Sequence, residues 1–372
     1  MNFVINKNDI SDALTRLQGI AGRKSSLAIT ETVLIRAQKD KVTISATDLE
    51  TGFEGIYPAI VEKDGMVAVN ARKFSDIVKT FPMETIKIKE LENQWIEISS
   101  DSVEYHLVGM DPEEFPEIPK ISDIVFFKIN SGDFKRMIDK AVIIGVGGDE
   151  KREHLIGVLL EHIDENDQDI VRMVSTDIRR LSKMDYIVER MDKPAFGEKI
   201  IIPKKGLTEV NKFLDPGLDV EIGVQGNHFI VKKENEIIIL NLLDGDFPNY
   251  RELLVLEDIY DIELPRDLFS MMLKRMSIMT SDEYRGVNFH FENDQLLVRV
   301  VNPTIGESKE TLEIKYQREP FDAVYNPRYF IEAMAFYEKD TVLLNIKDRE
   351  KPCVLRAEND NTYLNIIMPM KI

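Results

Sequence analysis

Histidine and cysteine are the residue types that most often bind metals or act as nucleophiles, and the chain has five histidines and one cysteine. None of the histidines belongs to a His-Glu-x-x-His helical pair, the arrangement that a zinc protease requires. His154 and His162 flank a strand-like run, and Cys353 alone argues against a structural zinc site and excludes an internal disulfide. The sequence therefore predicts packed or solvated histidines, with neither a metal nor another cofactor.

Two segments have the residue types of phosphate-binding loops. Residues 145–148 (Gly-Val-Gly-Gly) lack a Gly-Lys-Ser/Thr ending and a strand-to-helix context, so we expect a loop there. Residues 204–206 (Lys-Lys-Gly) lack the upstream glycine of a P-loop, and the chain has no Gly-x-Ser-x-Gly elbow. Asp48 and Asp177 follow strand-like runs, where catalytic carboxylates can lie, but their equivalent positions favour a role in turns.

These observations predict a protein that is not an enzyme. Two alternatives stay open, a hydrolase on a repeated α+β scaffold and a protein scaffold that does not contact DNA. The net charge of −18 taken alone argues against tight DNA binding, which draws on a basic surface. A single cysteine, the absence of a signal peptide and the lack of any apolar run near ~20 residues predict a cytoplasmic protein without a membrane span.

Amphipathic helices recur along the chain and must position whatever site the protein has. Asp9, Asp133 and Asp267 each stand where they could cap a helix and precede apolar residues spaced i, i+3, i+4, i+7. A second apolar stripe begins at Phe74, recurs at Leu207 and recurs again at Phe330. Strand-like runs separate these helices in each segment. One unit of helix, strands, helix and strands is therefore repeated three times.

The repeat predicts an α+β fold with three domains of one kind. Phe-Pro pairs at 115–116 and 247–248 lie in linker-like stretches that close the first two repeats. We place the domains at residues 1–121, 122–250 and 251–372. A chain of 372 residues is long enough for two or three hydrophobic cores, which agrees with this division.

Basic residues cluster on the helices, whereas acidic residues concentrate elsewhere. From charge alone, the candidates for DNA contact are Arg23, Lys135, Arg136 and Lys140. A closed ring resolves the conflict with the acidic net charge, because helices on the inner wall would turn these cations toward phosphates while antiparallel sheets lie outside. Retention would then be topological, and contacts could stay few and independent of DNA sequence.

Six motifs in order along the chain resemble those of the bacterial sliding clamp, the beta subunit of DNA polymerase III. They are Val-Asn-Ala-Arg-Lys-Phe at 69–74, Ser-Thr-Asp-Ile-Arg-Arg-Leu at 175–181, Ile-Pro-Lys-Lys-Gly at 202–206, Leu-Asp-Gly-Asp-Phe-Pro-Asn-Tyr-Arg at 243–251, Tyr-Arg-Gly-Val at 284–287 and Met-Pro-Met-Lys-Ile at 368–372. The resemblance covers essentially the whole chain. It implies a head-to-tail homodimeric ring of six similar domains around duplex DNA, acting as a processivity factor.

The resemblance also implies site residues. For DNA phosphates these are Lys24, Arg72, Lys73, Lys204 and Lys205, and for the dimer interface they are Tyr105 against Ile278 and Met279 of the partner. A pocket for short peptide motifs is implied at Leu155, Thr176, Ile178, Arg179, Arg180, Leu181, Pro248, Leu253, Ile366 and Met368 in one lobe, and at Asn326, Tyr329, Pro352, Pro369, Met370 and Lys371 in the other.

The implied partners are duplex DNA, a second copy of the chain, the replicative polymerase subunit, a clamp loader and other proteins with a clamp-binding motif. The chain departs from the common pattern in the pocket, because Ile178 and Arg179 stand where relatives usually have Gly-His. Glu252 stands where relatives often have a base. We therefore expect the pocket to bind peptides with leucine or phenylalanine anchors, with a preferred motif of its own.

Overall fold

The computed structural model describes residues 1–22, 26–122, 124–144, 157–165, 167–188, 199–254, 260–283, 285–347 and 349–370. The predicted loop at 145–148 lies outside these ranges. So do two candidate DNA contacts, Arg23 and Lys24, and two candidate pocket residues, Leu155 and Lys371.

Six α-helices form within the described ranges, two in each predicted repeat. They are α1 (Lys7–Arg16), α2 (Ala71–Thr80), α3 (Ser131–Ala141), α4 (Lys204–Phe213), α5 (Arg266–Ser277) and α6 (Pro327–Met334). The predicted apolar stripes are buried, as shown by Leu14 in α1, Phe134 in α3 and Phe269 in α5, which are fully buried. The period of the hydrophobic pattern thus correctly predicted the positions of all six helices.

The predicted caps Asp9, Asp133 and Asp267 are wrong. Each lies inside the first turn of its helix, because the helices begin two residues earlier at α1 and α3 and one residue earlier at α5. Asn6 caps α1 by accepting a hydrogen bond from the backbone N–H of Asn8 at 2.8 Å. The aspartates still favour the helices, since a negative charge in the first turn complements the helix dipole.

The strands form three antiparallel sheets. Those of the first predicted repeat are β1 (Asn2–Asn6), β2 (Thr32–Gln38), β3 (Lys41–Thr47), β4 (Thr51–Pro58), β5 (Ile60–Lys63), β6 (Gly65–Asn70), β7 (Thr85–Glu90), β8 (Trp95–Ser99) and β9 (Glu104–Met110). Those of the second are β10 (Phe127–Asn130), β11 (Gly157–Glu165), β12 (Gln168–Thr176), β13 (Arg180–Val188), β14 (Lys199–Pro203), β15 (Asp219–Gln225), β16 (His228–Lys233) and β17 (Glu236–Asn241). Those of the third are β18 (Asp261–Pro265), β19 (Val287–Glu292), β20 (Gln295–Asn302), β21 (Gly306–Glu313), β22 (Phe321–Tyr325), β23 (Thr341–Asn345), β24 (Cys353–Ala357) and β25 (Asp360–Ile367).

The chain divides into two compact units that do not coincide with the predicted repeats. The first unit contains the described residues of 1–135 and 202–242, and the second those of 136–190, 198–201 and 243–372. A 13-stranded sheet of order β10-β15-β16-β17-β4-β3-β2-β6-β9-β8-β7-β1-β5 runs through the first unit. The second unit has an eight-stranded sheet, β14-β11-β12-β13-β25-β24-β23-β18, and a four-stranded sheet, β21-β20-β19-β22.

Strands of neighbouring repeats join within each unit. In the first unit β17 pairs with β4, and in the second β13 pairs with β25. Helices close the cores with aromatic contacts, for example Phe53 of β4 with Phe213 of α4, whose ring centroids are 6.3 Å apart. In the second unit Phe269 of α5 lies 5.9 Å from Phe289 of β19. Within the described ranges, no helix combines the length and the apolar character needed to cross a bilayer.

Candidate functional site

A tight turn follows β3 in the first unit, built around Asp48. The carboxylate oxygen Oδ1 of Asp48 accepts hydrogen bonds from the backbone N–H of Glu50 at 3.1 Å and of Thr51 at 2.7 Å. The hydroxyl of Thr47 accepts from the N–H of Leu49 at 3.0 Å. Leu49 has a φ of 77°, a left-handed conformation that the surrounding hydrogen bonds hold in place.

The same turn follows β12 in the second unit, built around Asp177. Its Oδ1 accepts from the backbone N–H of Arg179 and of Arg180, both at 3.0 Å, and the hydroxyl of Thr176 accepts from Ile178 at 3.1 Å. Ile178 has a φ of 72°, which is uncommon for a β-branched residue. The prediction that Asp48 and Asp177 form turns is therefore confirmed, and these carboxylates are occupied by backbone donors.

The guanidinium of Arg180 is held in place from three sides. Its Nε donates to Asp177 at 3.0 Å, its terminal nitrogen donates to Glu332 of α6, and its plane lies 4.3 Å from the ring centroid of Tyr329. The Arg180 side chain is largely buried. Two carboxylates thus neutralise this cation, and stacking on an aromatic face adds to its rigidity.

Two adjoining cavities lie beside this arginine, and they share Arg285, Asn326 and Tyr329. The first, which we call the motif cavity, has a volume of about 260 Å³ and is lined by Arg179, Arg285, Asn326, Tyr329, Met368, Pro369 and Met370. The second, of about 230 Å³, is lined by Asp177, Arg180, Thr280, Ser281, Asp282, Arg285, Asn326, Arg328, Tyr329 and Glu332. An apolar wall with a few polar groups is typical of a site for a short peptide.

The segment after β25 forms the apolar wall of the motif cavity. The N–H of Met368 donates to the carbonyl of Arg179 at 2.8 Å, and the N–H of Met370 donates to the carbonyl of Val324 at 2.7 Å. These bonds tie the segment to the Asp177 turn on one side and to β22 on the other. Methionine side chains on this wall can adapt to ligands of different shape.

Six of the described pocket candidates therefore line one cavity, namely Arg179, Asn326, Tyr329, Met368, Pro369 and Met370. Leu181 and Ile366 are instead buried in the core cluster of the second unit, and Thr176 is buried in the turn. Ile178 and Leu253 are exposed, and Pro248 and Pro352 are half-buried. Sequence reasoning had not selected Arg285 or Glu332, although Arg285 belongs to the Tyr-Arg-Gly-Val motif that signalled the family.

A buried polar network anchors the segment that leads into the third repeat. The hydroxyl of Tyr250 and the guanidinium of Arg251 donate to Glu161, whose side chain is almost fully buried. Arg172 donates through Nε to Asp185 at 2.7 Å on the neighbouring strand. Burial, together with the neighbouring Glu161 carboxylate, raises the pKa of the Tyr250 hydroxyl to about 12. The phenol therefore stays protonated and donates its hydrogen bond throughout the physiological range.

Lys205, a candidate DNA contact at the start of α4, is paired with acids of the Asp48 turn. Its Nζ lies 2.8 Å from Asp48 and 3.2 Å from Glu50. Burial alone would lower the pKa of Lys205, but the hydrogen bonds and charges of Asp48 and Glu50 raise it above its ordinary value. A DNA phosphate would have to compete with these carboxylates for the ammonium group.

Other candidate cations are also engaged. Lys135 donates through Nζ to the backbone carbonyl of Asn211 at 2.7 Å, and Lys140 lies 4.6 Å from the ring centroid of Tyr363. Burial lowers the pKa of Lys140. Lys204 and Arg136 interact with neighbouring groups as well. Arg72 and Lys73 are exposed in the first turn of α2 and bind no side-chain partner among the described residues, so a phosphate would not have to displace one.

The dimer-interface candidates are exposed or partly exposed in their own units. In the first unit Tyr105 lies on β9, 38 % exposed, with its ring centroid 6.4 Å from that of Phe81. In the second unit Ile278 follows α5 and is 73 % exposed. Met279 is partly buried, and its carbonyl accepts a hydrogen bond from Asn302 at 3.2 Å.

Repeated α+β segments, antiparallel sheets and a peptide-sized cavity define a clamp-type protein. The models of the DNA polymerase III beta subunit match the chain three times, with the N-terminal domain at residues 1–119, the central domain at 128–249 and the C-terminal domain at 257–371. The chain belongs to this family, the bacterial beta sliding clamps. The family is a non-catalytic one, and the comparisons give the hydrolase alternative no support.

Individual relatives agree over the full length. The beta sliding clamp of Chlamydia pneumoniae is 26 % identical over 372 residues, covering 100 % of this chain and 99 % of that protein. That of Bacillus subtilis is 24 % identical over 388 residues, with 100 % of both covered. The solved sliding clamp of Caulobacter crescentus has a TM-score of 0.92 at 20 % identity, with 100 % of both chains covered. The predicted family and the fold class of three clamp domains are confirmed, whereas the boundaries at 121 and 250 stay predictions.

Proposed function

We propose that this protein is the processivity factor of a replicative DNA polymerase, a ring of two copies that encircles duplex DNA and tethers the polymerase. The observation that carries this proposal is the match of three consecutive segments, spanning nearly the whole chain, to the three domains of one clamp family. The protein would act in the cytoplasm, and a separate clamp loader would open the ring.

Closure into a homodimer is supported by two strand edges. In the described part of the chain, residues 104–108 of β9 pair with β8 alone, because β6 pairs only with Gly109 and Met110. β21 lies at the edge of its sheet. Tyr105 is on the open part of β9, and Met279 lies next to Gly306, the first residue of β21. Head-to-tail pairing of these edges between two copies would bury Tyr105 against Ile278 and Met279 and close the ring.

Contacts to DNA would be few and made to phosphates. Arg72 and Lys73 are the strongest candidates because their side chains are exposed and bind no partner among the described residues. Five other described candidates would have to exchange their present partners for a phosphate, namely Lys135, Arg136, Lys140, Lys204 and Lys205. Arg23 and Lys24 lie outside the described ranges and stay candidates on the sequence alone. A ring holds DNA without tight binding, so a chain of net charge −18 can still be retained on it.

The motif cavity would dock the polymerase subunit, the clamp loader and other proteins that carry a clamp-binding peptide. A solved sliding clamp from Bartonella birtlesii, 24 % identical with a TM-score of 0.91, is described as bound to griselimycin. For this chain, the support is the apolar wall of Met368, Pro369 and Met370 facing Tyr329 and two arginines.

Peptide binding tests this site. A fluorescent peptide with leucine and phenylalanine anchors should bind the wild-type chain and lose at least about tenfold in affinity with Met368→Asp, which puts a charge on the apolar wall. Met83→Asp, at an exposed methionine of the first unit, is the matched control and should not change the affinity. Leu181→Asp is a poor choice because Leu181 is only 2 % exposed and its replacement would unfold the core. Equal binding by the wild type and Met368→Asp would contradict the placement of the pocket.

A further inference from the structure

A cavity of about 740 Å³ lies within the first unit, between one face of the 13-stranded sheet and the segment that follows β9. We call it the linker cavity, and it has nearly three times the volume of the motif cavity. Its apolar lining includes Leu34, Met66, Ile237 and Ile239 of the sheet and Phe115 and Ile118 of the segment. This size and this lining suit a small organic molecule.

The corresponding place in the second unit is closed by the buried network around Glu161. Arg36 and Glu161 are equivalent, because the cross-strand partner of each stands five residues before the aspartate of the following turn. Ile118 and Tyr250 are equivalent, because each stands two residues after a Phe-Pro pair. The Tyr250 hydroxyl donates to Glu161 and so ties the segment after β17 to the sheet.

The first unit cannot form this network. Ile118 has no donor to replace the tyrosine hydroxyl, and Arg36 carries the opposite charge to Glu161. Ile118 packs instead on the backbone of Gly52, where an added Cβ would lie 3.2 Å from its Cγ2. Apolar contact therefore replaces the network at this position, and space stays open between the segment and the sheet.

Arg36 brings an unused cation to the lining of the linker cavity. Its side chain is exposed and makes no hydrogen bond or ion pair with any described residue. It lies opposite the exposed Met66 on the neighbouring strand, so a guanidinium and an apolar side chain stand next to each other. A guanidinium donates two parallel hydrogen bonds to a carboxylate, which fixes the direction of a ligand as well as adding affinity.

The other charges of the lining limit the ligand to one negative group. Glu54 on β4 is half-buried, and its side chain has no partner among the described residues. Strand spacing puts its Cα about 12 Å from that of Arg36, so Glu54 would repel a second anion farther along the cavity. Glu117 and Lys120 of the segment are exposed and opposite in charge, so they largely offset each other.

We propose that the linker cavity binds a small amphipathic molecule with a single negative charge, its anionic group on Arg36 and its apolar body against Met66 and Ile118. Burial of that body supplies the affinity, and the guanidinium supplies the preference for an anion. A polyanion such as a nucleotide fits less well, because Glu54 opposes its further charges. The linker cavity shares no lining residue with the motif cavity, so this proposal does not depend on the docking function.

Displacement of a fluorescent probe tests the site in the full-length protein. Anilinonaphthalene sulfonate, an amphipathic monoanion whose emission rises in apolar sites, is bound first, and decanoate, decanol or the dianion sebacate is then added. We expect decanoate to displace the probe at a concentration about 3- to 10-fold lower than decanol, the range of a charge-assisted hydrogen bond at a partly exposed site. Sebacate should be weaker than decanoate, and the preference for decanoate over decanol should shrink as salt rises.

Variants assign the displaced probe to the linker cavity. Arg36→Gln should reduce the preference for decanoate over decanol to about 2-fold or less, because it removes the cation and leaves the apolar lining. Lys41→Gln, which removes an exposed cation of the same sheet outside the cavity, is the matched control and should leave the preference intact. Arg36→Glu combined with Ile118→Tyr recreates the pair found in the second unit and should abolish displacement by decanoate.

The proposal fails if decanoate does not displace the probe from the wild type, or if decanol displaces it equally well. It also fails if Arg36→Gln leaves the preference unchanged, and this variant should fold because Arg36 is exposed and unpaired. Displacement that is lost in Met368→Asp but kept in the Arg36 variants would assign the ligand to the motif cavity and overturn the proposal. A folded double variant that still binds decanoate would do the same.

Discussion

Replacing Glu50 by glutamine should leave the ammonium group of Lys205 with one carboxylate partner instead of two, and so make it more available to a DNA phosphate. Lys205 Nζ lies 2.8 Å from Asp48 and 3.2 Å from Glu50, and its side chain is 45 % exposed. Ion pairs this exposed contribute roughly 0–1 kcal/mol, so removing one of two carboxylates is enough for a phosphate to compete. Asp48 must be kept, because its Oδ1 holds the turn.

The expected magnitude follows from counterion release. Each phosphate that a protein cation neutralises contributes about 0.9 to the slope of log affinity against log salt concentration. Glu50→Gln should therefore steepen this slope by up to about 0.9. Between 50 and 200 mM salt, that corresponds to an additional loss of roughly 3.5-fold in affinity. At the lowest salt the variant should bind more tightly than the wild type.

The assay is fluorescence anisotropy with a short linear duplex, which measures direct contact without threading of the ring. Lys205→Met should have little effect in the wild-type background and should abolish the gain in the Glu50→Gln background. Glu54→Gln, at an acid of β4 with no ion pair to Lys205, is the matched control for loss of one negative charge. The reasoning fails if Glu50→Gln leaves the slope unchanged. It also fails if Lys205→Met already lowers the wild-type slope by about 0.9.

Three further predictions concern stability and assembly. Tyr250→Phe leaves the buried Glu161 carboxylate short of a donor and should lower the free energy of unfolding in urea by about 1–3 kcal/mol. Because the pKa of Tyr250 is raised to about 12, its stabilisation is present below about pH 10 and is lost as the pH rises toward 12. This loss of stability at alkaline pH should therefore be smaller in the variant. An unchanged urea midpoint would contradict the role of the bond. Ile178→Gly relieves a left-handed φ of 72° and should raise the free energy of unfolding by about 1 kcal/mol, and Leu49→Gly should do the same at a φ of 77°. A lower free energy of unfolding in both variants would show that neither turn is strained. Ile278→Asp should convert a dimer near twice 42.8 kDa into a monomer in light scattering, and a wild-type monomer at micromolar concentration would rule out the proposed contact.

The helices and turns could be predicted from sequence because their causes are local. Apolar spacing alone located the buried stripe that contains Phe134, and the equivalent positions of Asp48 and Asp177 after strand-like runs predicted the turns there. The caps were misplaced because several polar residues near a helix start can serve, and Asn6 rather than Asp9 has the required geometry at α1.

Long-range pairings account for what could not be predicted. The joining of β17 to β4, and the two compact units that follow from it, depend on strands far apart in sequence. The sequence around Lys205 predicts a free cation, because its partner Glu50 lies 155 residues away along the chain. Glu332 meets Arg180 across 152 residues, so its place in the site is visible only in the folded chain. Charge counting along a sequence identifies cations but not the acids that neutralise them.

Retention on circular DNA tests the ring most directly. The wild-type chain, loaded by its clamp loader onto nicked circular duplex and separated by gel filtration, should remain with the DNA in moderate salt. Cutting the circle once with a restriction enzyme should release it, because a ring slides off a free end. Retention that survives linearisation would mean that contact rather than encirclement holds the protein on DNA.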